Sequence, residues 1–183
     1  MNHRKRTASL IGWVSALAAA LLAASAPAAT IDFEGRGTVA PTGAPDESGN
    51  LPLFATGSYT FNGIGGWTLE SPFTFNVGAG FGSGTFAFSS NGDSLLGSVT
   101  SSWVLGESGP IGFNLRYTIL GGTGQYLGAR GSGASTVLLL GDPNQPPTPF
   151  LETGRFHVPE PGTLLLLGFG LAGVGLTRRR KRA

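Results

Sequence analysis

Hydrophobic and polar residues alternate along the middle of the chain. Phe113, Leu115, Tyr117 and Ile119 are separated by Asn114, Arg116 and Thr118. A period of two residues matches a β-strand, in which successive side chains point to opposite faces. Similar runs predict strands at residues 67–77, 85–89, 95–105, 134–140 and 150–157.

Short turn signals separate these runs. Asn62-Gly63 and Asn91-Gly92 are typical of tight hairpins, because both turn positions need a positive φ that Asn and Gly adopt most easily. The chain also holds 31 glycines, which disfavour long helices. We therefore predict an all-β fold, a single antiparallel β-barrel or sandwich.

Three segments interrupt the alternation and are predicted as connections. Residues 37–52 are rich in Pro, Gly, Ser and Asp and indicate an irregular surface loop after the first strand. Residues 142–149 contain four prolines, which cannot donate a full ladder of hydrogen bonds. Residues 78–84 contain four glycines and Phe81 and indicate a wide hairpin connection.

A glycine-rich motif follows the clearest strand. Residues 121–133 read Gly-Gly-Thr-Gly-Gln-Tyr-Leu-Gly-Ala-Arg-Gly-Ser-Gly, and a β-type run without lysine comes next, which argues against a nucleotide-binding loop. The motif resembles a segment of small bacterial β-barrel proteins similar to the allene oxide cyclase barrel. The resemblance implies a connection between strands whose aromatic residue packs inward. It carries over no cyclase residue and no activity.

The N-terminus has the layout of a signal peptide. Basic residues at 3–6 precede an apolar run at 10–24, and Ala26-Pro27-Ala28 supplies the small residues that signal peptidase needs. We predict a signal peptide over residues 1–28, cut after Ala28 or, as second choice, after Ala29. An uncleaved N-terminal anchor is the alternative.

The C-terminus combines a short motif, an apolar run and a basic end. Residues 162–177 are uncharged and would form a helix about 24 Å long, short for a hydrocarbon core of about 30 Å. Basic residues keep the extreme end on the cytoplasmic side, so the body lies outside. We predict a transmembrane helix at 163–177. The basic cluster is Arg178, Arg179, Arg180, Lys181 and Arg182.

Pro159-Glu160-Pro161 directly precedes this helix. The order of motif, Leu/Gly-rich run and Arg-rich end resembles the PEP-CTERM sorting signal of Gram-negative bacteria. The resemblance implies recognition by an exosortase, a membrane-embedded cysteine transpeptidase or protease, and export linked to exopolysaccharide. The predicted organisation is thus an exported β-domain at 29–157 and a sorting signal at 158–183. An ordinary C-terminal anchor is the alternative.

Charge and composition narrow the chemistry of the β-domain. Residues 30–157 carry four arginines against nine acids, a net charge of −5 without lysine, which argues against a nucleic-acid partner. The chain has no cysteine, and its body has one histidine, His157, predicted as a solvated linker residue. Asp32 and Glu34 are predicted on a solvated strand face with Phe33 turned inward. Calcium at Asp46-Glu47 or Asn91–Asp93 would lack ligand spacing. We predict no catalytic, cofactor-binding or metal-binding residue.

The expected function follows from the two targeting segments. We expect a non-enzymatic protein that is exported through the inner membrane, held there transiently, and delivered to the cell surface or the exopolysaccharide matrix. Its expected partners are signal peptidase, exosortase, the inner membrane and exopolysaccharide. One alternative is a carbohydrate-binding module, because exposed aromatic rings stack on sugars; its candidates are Tyr59, Trp67, Trp103 and Tyr126. A barrel-type enzyme is a further alternative.

Overall fold

The computed structural model describes residues 28–107, 109–142 and 145–159, which form one closed barrel of eight antiparallel strands. Each strand pairs with the next along the chain, and β8 closes the barrel against β1. The strands are β1 (Ala28–Pro41), β2 (Asn50–Phe61), β3 (Ile64–Asn76), β4 (Phe81–Ser90), β5 (Asp93–Gly106), β6 (Gly109–Thr123), β7 (Gly131–Leu139) and β8 (Thr148–Pro159). The barrel, rather than the sandwich, is the architecture.

The predicted signal peptide and transmembrane helix lie outside the described residues. Within the described part of the chain, no helix is long and apolar enough to cross a membrane.

The two ends of the barrel differ in what they carry. At the end that we call the terminal end, β1 begins and β8 finishes, and Ala28 pairs with Pro159. The two Asn-Gly turns also lie there, with φ of 50° and 79° at Asn62 and Gly63 and 47° and 90° at Asn91 and Gly92, as predicted. At the opposite loop end lie the connections 42–49, 77–80 and 140–147.

The interior is filled mainly by aromatic side chains, as expected for eight strands, whose barrel is just wide enough for side chains to fill. Phe33 and Phe156 stack with ring centroids 4.4 Å apart, and Phe88 and Phe156 have no exposed surface. Towards the terminal end Phe61 stacks on Trp67 at 4.3 Å. The chain has no cysteine and therefore no disulfide. Burial of this aromatic core is the main source of its stability.

Two of the predicted connections are shorter than expected. The loop predicted at 37–52 is confined to 42–49, since β1 runs to Pro41 and β2 begins at Asn50. The connection predicted at 78–84 ends at Gly80, and β4 begins at Phe81. Glycine is needed inside β4 because a Cβ on Gly84 would lie 2.3 Å from Cβ of Phe73. Composition indicated loops where close packing of strands requires glycine.

The glycine-rich motif connects β6 to β7, as the resemblance implied. Its middle forms a single turn of 3-10 helix at Gly124–Tyr126. Tyr126 is half-buried and meets Trp67 edge to face at 5.7 Å, so it packs toward the core.

Candidate functional site

The barrel interior contains one buried acidic side chain, Glu152 on β8, which is 2 % exposed. Three hydroxyl groups donate hydrogen bonds to its carboxyl group. Tyr117 of β6 and Ser135 of β7 donate to Oε1, and Tyr59 of β2 donates to Oε2, each at 2.5 Å. Together these bonds give each oxygen of the carboxyl group at least one donor.

Gly35 on β1 allows the hydroxyl group of Tyr59 to reach the carboxyl group of Glu152. Strand β1 lies between β2 and β8, and Gly35 pairs with Tyr59 of β2 on one side and with Glu152 of β8 on the other. A Cβ on Gly35 would lie 2.2 Å from Cδ1 of Tyr59. The tyrosine ring therefore crosses β1 only because no side chain is there.

Replacing Gly35 by alanine is expected to displace the Tyr59 ring and to destabilise the barrel by about 1–3 kcal/mol, the usual range for overpacking. Gly65→Ala is the matched control, because the nearest atom to a Cβ there is Cγ2 of Thr60 at 3.9 Å. Urea unfolding of the two variants measures the difference. Equal midpoints would show that Tyr59 is not held through this gap.

Burial governs the ionisation of the cluster. It raises the pKa of Glu152 above 4.5, although the bonds from Ser135, Tyr117 and Tyr59 act in the opposite direction. Burial also raises the pKa of both Tyr59 and Tyr117, and the neighbouring Glu152 adds to this. The tyrosines therefore remain neutral hydrogen-bond donors.

The raised pKa of Glu152 predicts a pH-dependent stability. The folded state holds this proton more tightly than the unfolded chain, so the free energy of unfolding falls as pH rises from about 4.5 through the folded pKa. Glu152→Gln removes the titration but keeps an acceptor oxygen. Denaturant unfolding at pH 4 and pH 8 should show a stability difference between wild type and Glu152→Gln that changes with pH. A constant difference would contradict the raised pKa.

A small cavity lies beside this cluster. Its volume is about 40 Å³, and its lining includes Tyr117, Glu152 and Ser101. The Oγ of Ser101 is buried without a hydrogen-bond partner. Because a water needs roughly 10–15 Å³ of such space, the cavity suits about one to three waters and no larger molecule.

A second, larger space opens at the loop end of the barrel. It has a volume of about 70 Å³ and shares Val39 and Phe113 with the inner cavity. Its other lining residues are almost all apolar, among them Leu53, Phe75 and Trp103. Specific small-molecule sites have roughly 300–1,000 Å³, so both spaces are well below that size.

The four aromatic residues proposed for sugar stacking lie in or against the core. Tyr59 and Trp67 are buried, at 2 % and 5 % exposure, so neither presents a ring face to a sugar. Trp103 stacks on Phe113 at 4.7 Å, and Tyr126 packs on Trp67. The carbohydrate hypothesis therefore finds no support in these four residues.

The remaining predicted residues of the body lie on its outer surface. Asp32 and Glu34 are exposed on β1 with Phe33 buried between them, as predicted. Asp32 forms an ion pair with Arg155 at 2.5 Å. His157 is exposed, as predicted, but it belongs to β8 rather than to a linker and pairs with Thr30 and Ser132 in the ladder.

The two acidic turns considered for calcium use their carboxylates locally. Asp46 accepts hydrogen bonds from Asn50 and Ser48, which lower its pKa. Asp93 accepts two from Gln125. Within the ranges that the structure describes, no group of three or more His, Cys, Asp or Glu side chains could hold a metal ion.

Two of the predicted processing residues meet in the barrel ladder. Ala28, the predicted signal-peptidase residue, pairs with Pro159, the first residue of the Pro-Glu-Pro motif. Ala26, Glu160, Pro161 and the basic cluster at 178–182 lie outside the described residues. The two points of predicted processing therefore leave the barrel at the same end, from neighbouring strands.

Sequence reasoning did not identify Glu152 as the centre of a site. The signal was present, because Phe150, Glu152, Gly154 and Phe156 alternate with exposed residues and share the inward face of β8. An acid on the apolar face of a strand needs partners. Tyr59, Tyr117 and Ser135 are up to 93 residues away in sequence, and only the register brings them together.

The barrel is similar to a solved structure, and the C-terminal residues match a family model. A search of curated proteins gives no match. Among solved structures, the pterocarpan synthase dirigent protein is similar over 74 % of this chain and 91 % of its own length, with 13 % identity and a TM-score of 0.49. A similarity at that level carries no conclusion about chemistry.

Residues 157–181 match the family model of the PEP-CTERM protein-sorting motif. The match covers Pro159, Glu160 and Pro161 and most of the basic cluster, so the predicted sorting signal is confirmed as a motif. The roles of its individual residues stay predictions. The chain thus carries a PEP-CTERM protein-sorting motif at its C-terminus, which implies an exported, surface-sorted protein that is processed by an exosortase.

Proposed function

We propose that the barrel is a non-enzymatic protein of the cell surface, which stays in the exopolysaccharide matrix after exosortase processing. The sorting motif accounts for export and processing. The matrix location and the non-enzymatic role are the new elements of this proposal.

The observation that carries the non-enzymatic role is the environment of Glu152. An acid or base in catalysis must come within hydrogen-bond reach of a substrate atom. Three protein hydroxyls already occupy the carboxyl group of Glu152. The cavity beside it, at about 40 Å³, leaves no room for a substrate. We interpret the cluster as a structural pin that ties β2, β6 and β7 to β8 inside the barrel.

The dense interior also favours a role for the outer surface. The terminal half of the barrel is filled by stacked aromatic rings. Contacts with a polymer matrix can then be made only from outside, where the strands present mostly hydroxyl, amide and charged groups.

Fractionation of producing cells tests this function. We expect the processed protein to remain with the polysaccharide fraction and to enter the medium in cells that make no polysaccharide. Glu152→Gln should leave both its amount and its distribution unchanged, because the proposed role requires no chemistry at that residue. Release into the medium irrespective of polysaccharide would refute the matrix role. A matrix defect caused by Glu152→Gln at an unchanged protein level would refute the non-enzymatic role.

A further inference from the structure

A groove lined by both polar and apolar atoms crosses the outer face of the barrel over six strands. Strand pairing places one outward residue from each of β4, β5, β6, β7, β8 and β1 in a continuous row. The groove along this row has a volume of about 910 Å³. The row consists of Ser83, Thr100, Arg116, Ala134, Arg155 and Asp32.

A second row runs beside the first, two residues nearer the loop end on each strand. It begins at Phe81, continues through Ser102, Asn114, Thr136 and Thr153, and ends at Glu34. All six are exposed, four have hydroxyl or amide groups, and Glu34 is acidic. With strands about 4.8 Å apart, six strands give a track about 24 Å long around the curved wall of the closed barrel. Such a length suits an extended polymer better than a small molecule.

Most of the residues that line the groove between the two rows are small. They are Gly82, Ser101, Ser135 and Gly154, and the exception is Leu115. A Cβ on Gly154 would lie 2.5 Å from Cβ of Ser135, so the chain is closely packed there.

The side chains that line the groove carry a net charge of +1, from Arg116 and Arg155 against Asp32, although the body is acidic. The groove contains two of the four arginines of residues 30–157, which hold nine acids. Arg155 is paired with Asp32, whereas Arg116 has no ion-pair partner in the described part of the chain. The two arginines stand on strands separated only by β7, about 10 Å apart.

An exposed aromatic ring closes one end of the track. Phe81 is 60 % exposed and pairs with Ser102. Its ring offers an apolar face beside hydroxyl and amide groups, which suits the mixed apolar and hydroxylated surface of a sugar ring.

We propose that this groove binds an acidic polysaccharide, with Arg116 and Arg155 contacting carboxylate groups spaced along the polymer and Phe81 packing on a sugar ring. The guanidinium group favours carboxylates because it can donate two parallel hydrogen bonds. Single-stranded DNA is the competing polyanion, and its binding is compared with that of the polysaccharide in the test below. This inference rests on the proposed matrix function and names its polymer class.

Binding of the full-length protein in detergent to immobilised polygalacturonate tests the proposal, with immobilised amylose as the neutral polymer. We expect retention on polygalacturonate that weakens with added salt, and little retention on amylose. The double variant Arg116→Gln, Arg155→Gln should lose at least about tenfold in affinity. The matched control Arg36→Gln, Arg130→Gln removes the same charge outside the groove and should stay within about twofold.

Several results would overturn the groove proposal: no binding to polygalacturonate, equal binding to amylose, equal losses in the two double variants, or tighter binding to single-stranded DNA than to polygalacturonate. The matrix function is judged separately. A wild type that stays in the matrix but does not bind polygalacturonate overturns only the groove. A wild type that binds polygalacturonate but is found free in the medium overturns only the matrix function.

Discussion

Replacing Pro159, Glu160 and Pro161 by alanine is expected to abolish processing, so that the protein stays in the inner membrane with its C-terminal tail intact. Proline restricts its own φ and the residue before it, so alanines remove this restriction together with the single carboxylate of the motif. The motif lies within the matched residues 157–181. Immunoblots of membrane, surface and medium fractions, with mass measurement of the retained species, detect the change.

A control variant shows whether the effect comes from the motif itself or from the loss of proline and acidic residues at any position. Pro41→Ala with Glu47→Ala changes the same residue types at exposed positions near the loop end of the barrel. That variant should be processed like the wild type. If the triple variant were trimmed and released at the wild-type rate, recognition through Pro-Glu-Pro would be wrong.

Glu152→Leu is expected to destabilise the barrel strongly, by at least about 3 kcal/mol. The substitution leaves the hydroxyls of Tyr59, Tyr117 and Ser135 buried without their acceptor, and each such loss costs about 1–3 kcal/mol. The apolar leucine regains only part of this. Guanidinium unfolding at pH 5 measures the loss.

Glu152→Gln is the matched comparison for this prediction. Glutamine has nearly the same shape and keeps one oxygen that can accept two hydrogen bonds. It should therefore be clearly more stable than Glu152→Leu. Equal stability of the two variants would mean that the three hydroxyls find other partners, and the interpretation of Glu152 as a structural pin would fail.

Much of the fold was predictable because the alternation of residues is regular. Inward and outward side chains alternate regularly from Phe113 to Ile119 in β6 and along β8, and the Asn-Gly turns mark two hairpins. The choice between barrel and sandwich was not predictable. It depends on β1 pairing with β8 more than 100 residues away, and no local pattern encodes that pairing.

The candidate sites were harder to predict, for a similar reason. Glu152 is recognisable from its place on an apolar face, but its donors come from three other strands. Arg116 and Arg155 belong to separate runs of sequence, and only the register places them in one row. Conversely, Trp67 was proposed for binding on the basis of residue type, whereas burial in the core accounts for it. Side-chain direction, rather than composition, decided each case.

The most direct test of the proposed sorting and delivery is the intact mass of the protein recovered from the polysaccharide fraction of cells with and without an exosortase. With the enzyme, we predict a species that lacks the signal peptide at residues 1–28 and the tail beyond the motif. Without it, we predict that the tail remains and that the protein stays in the inner membrane. The same mass in the polysaccharide fraction of both cells would contradict exosortase-dependent delivery of the barrel.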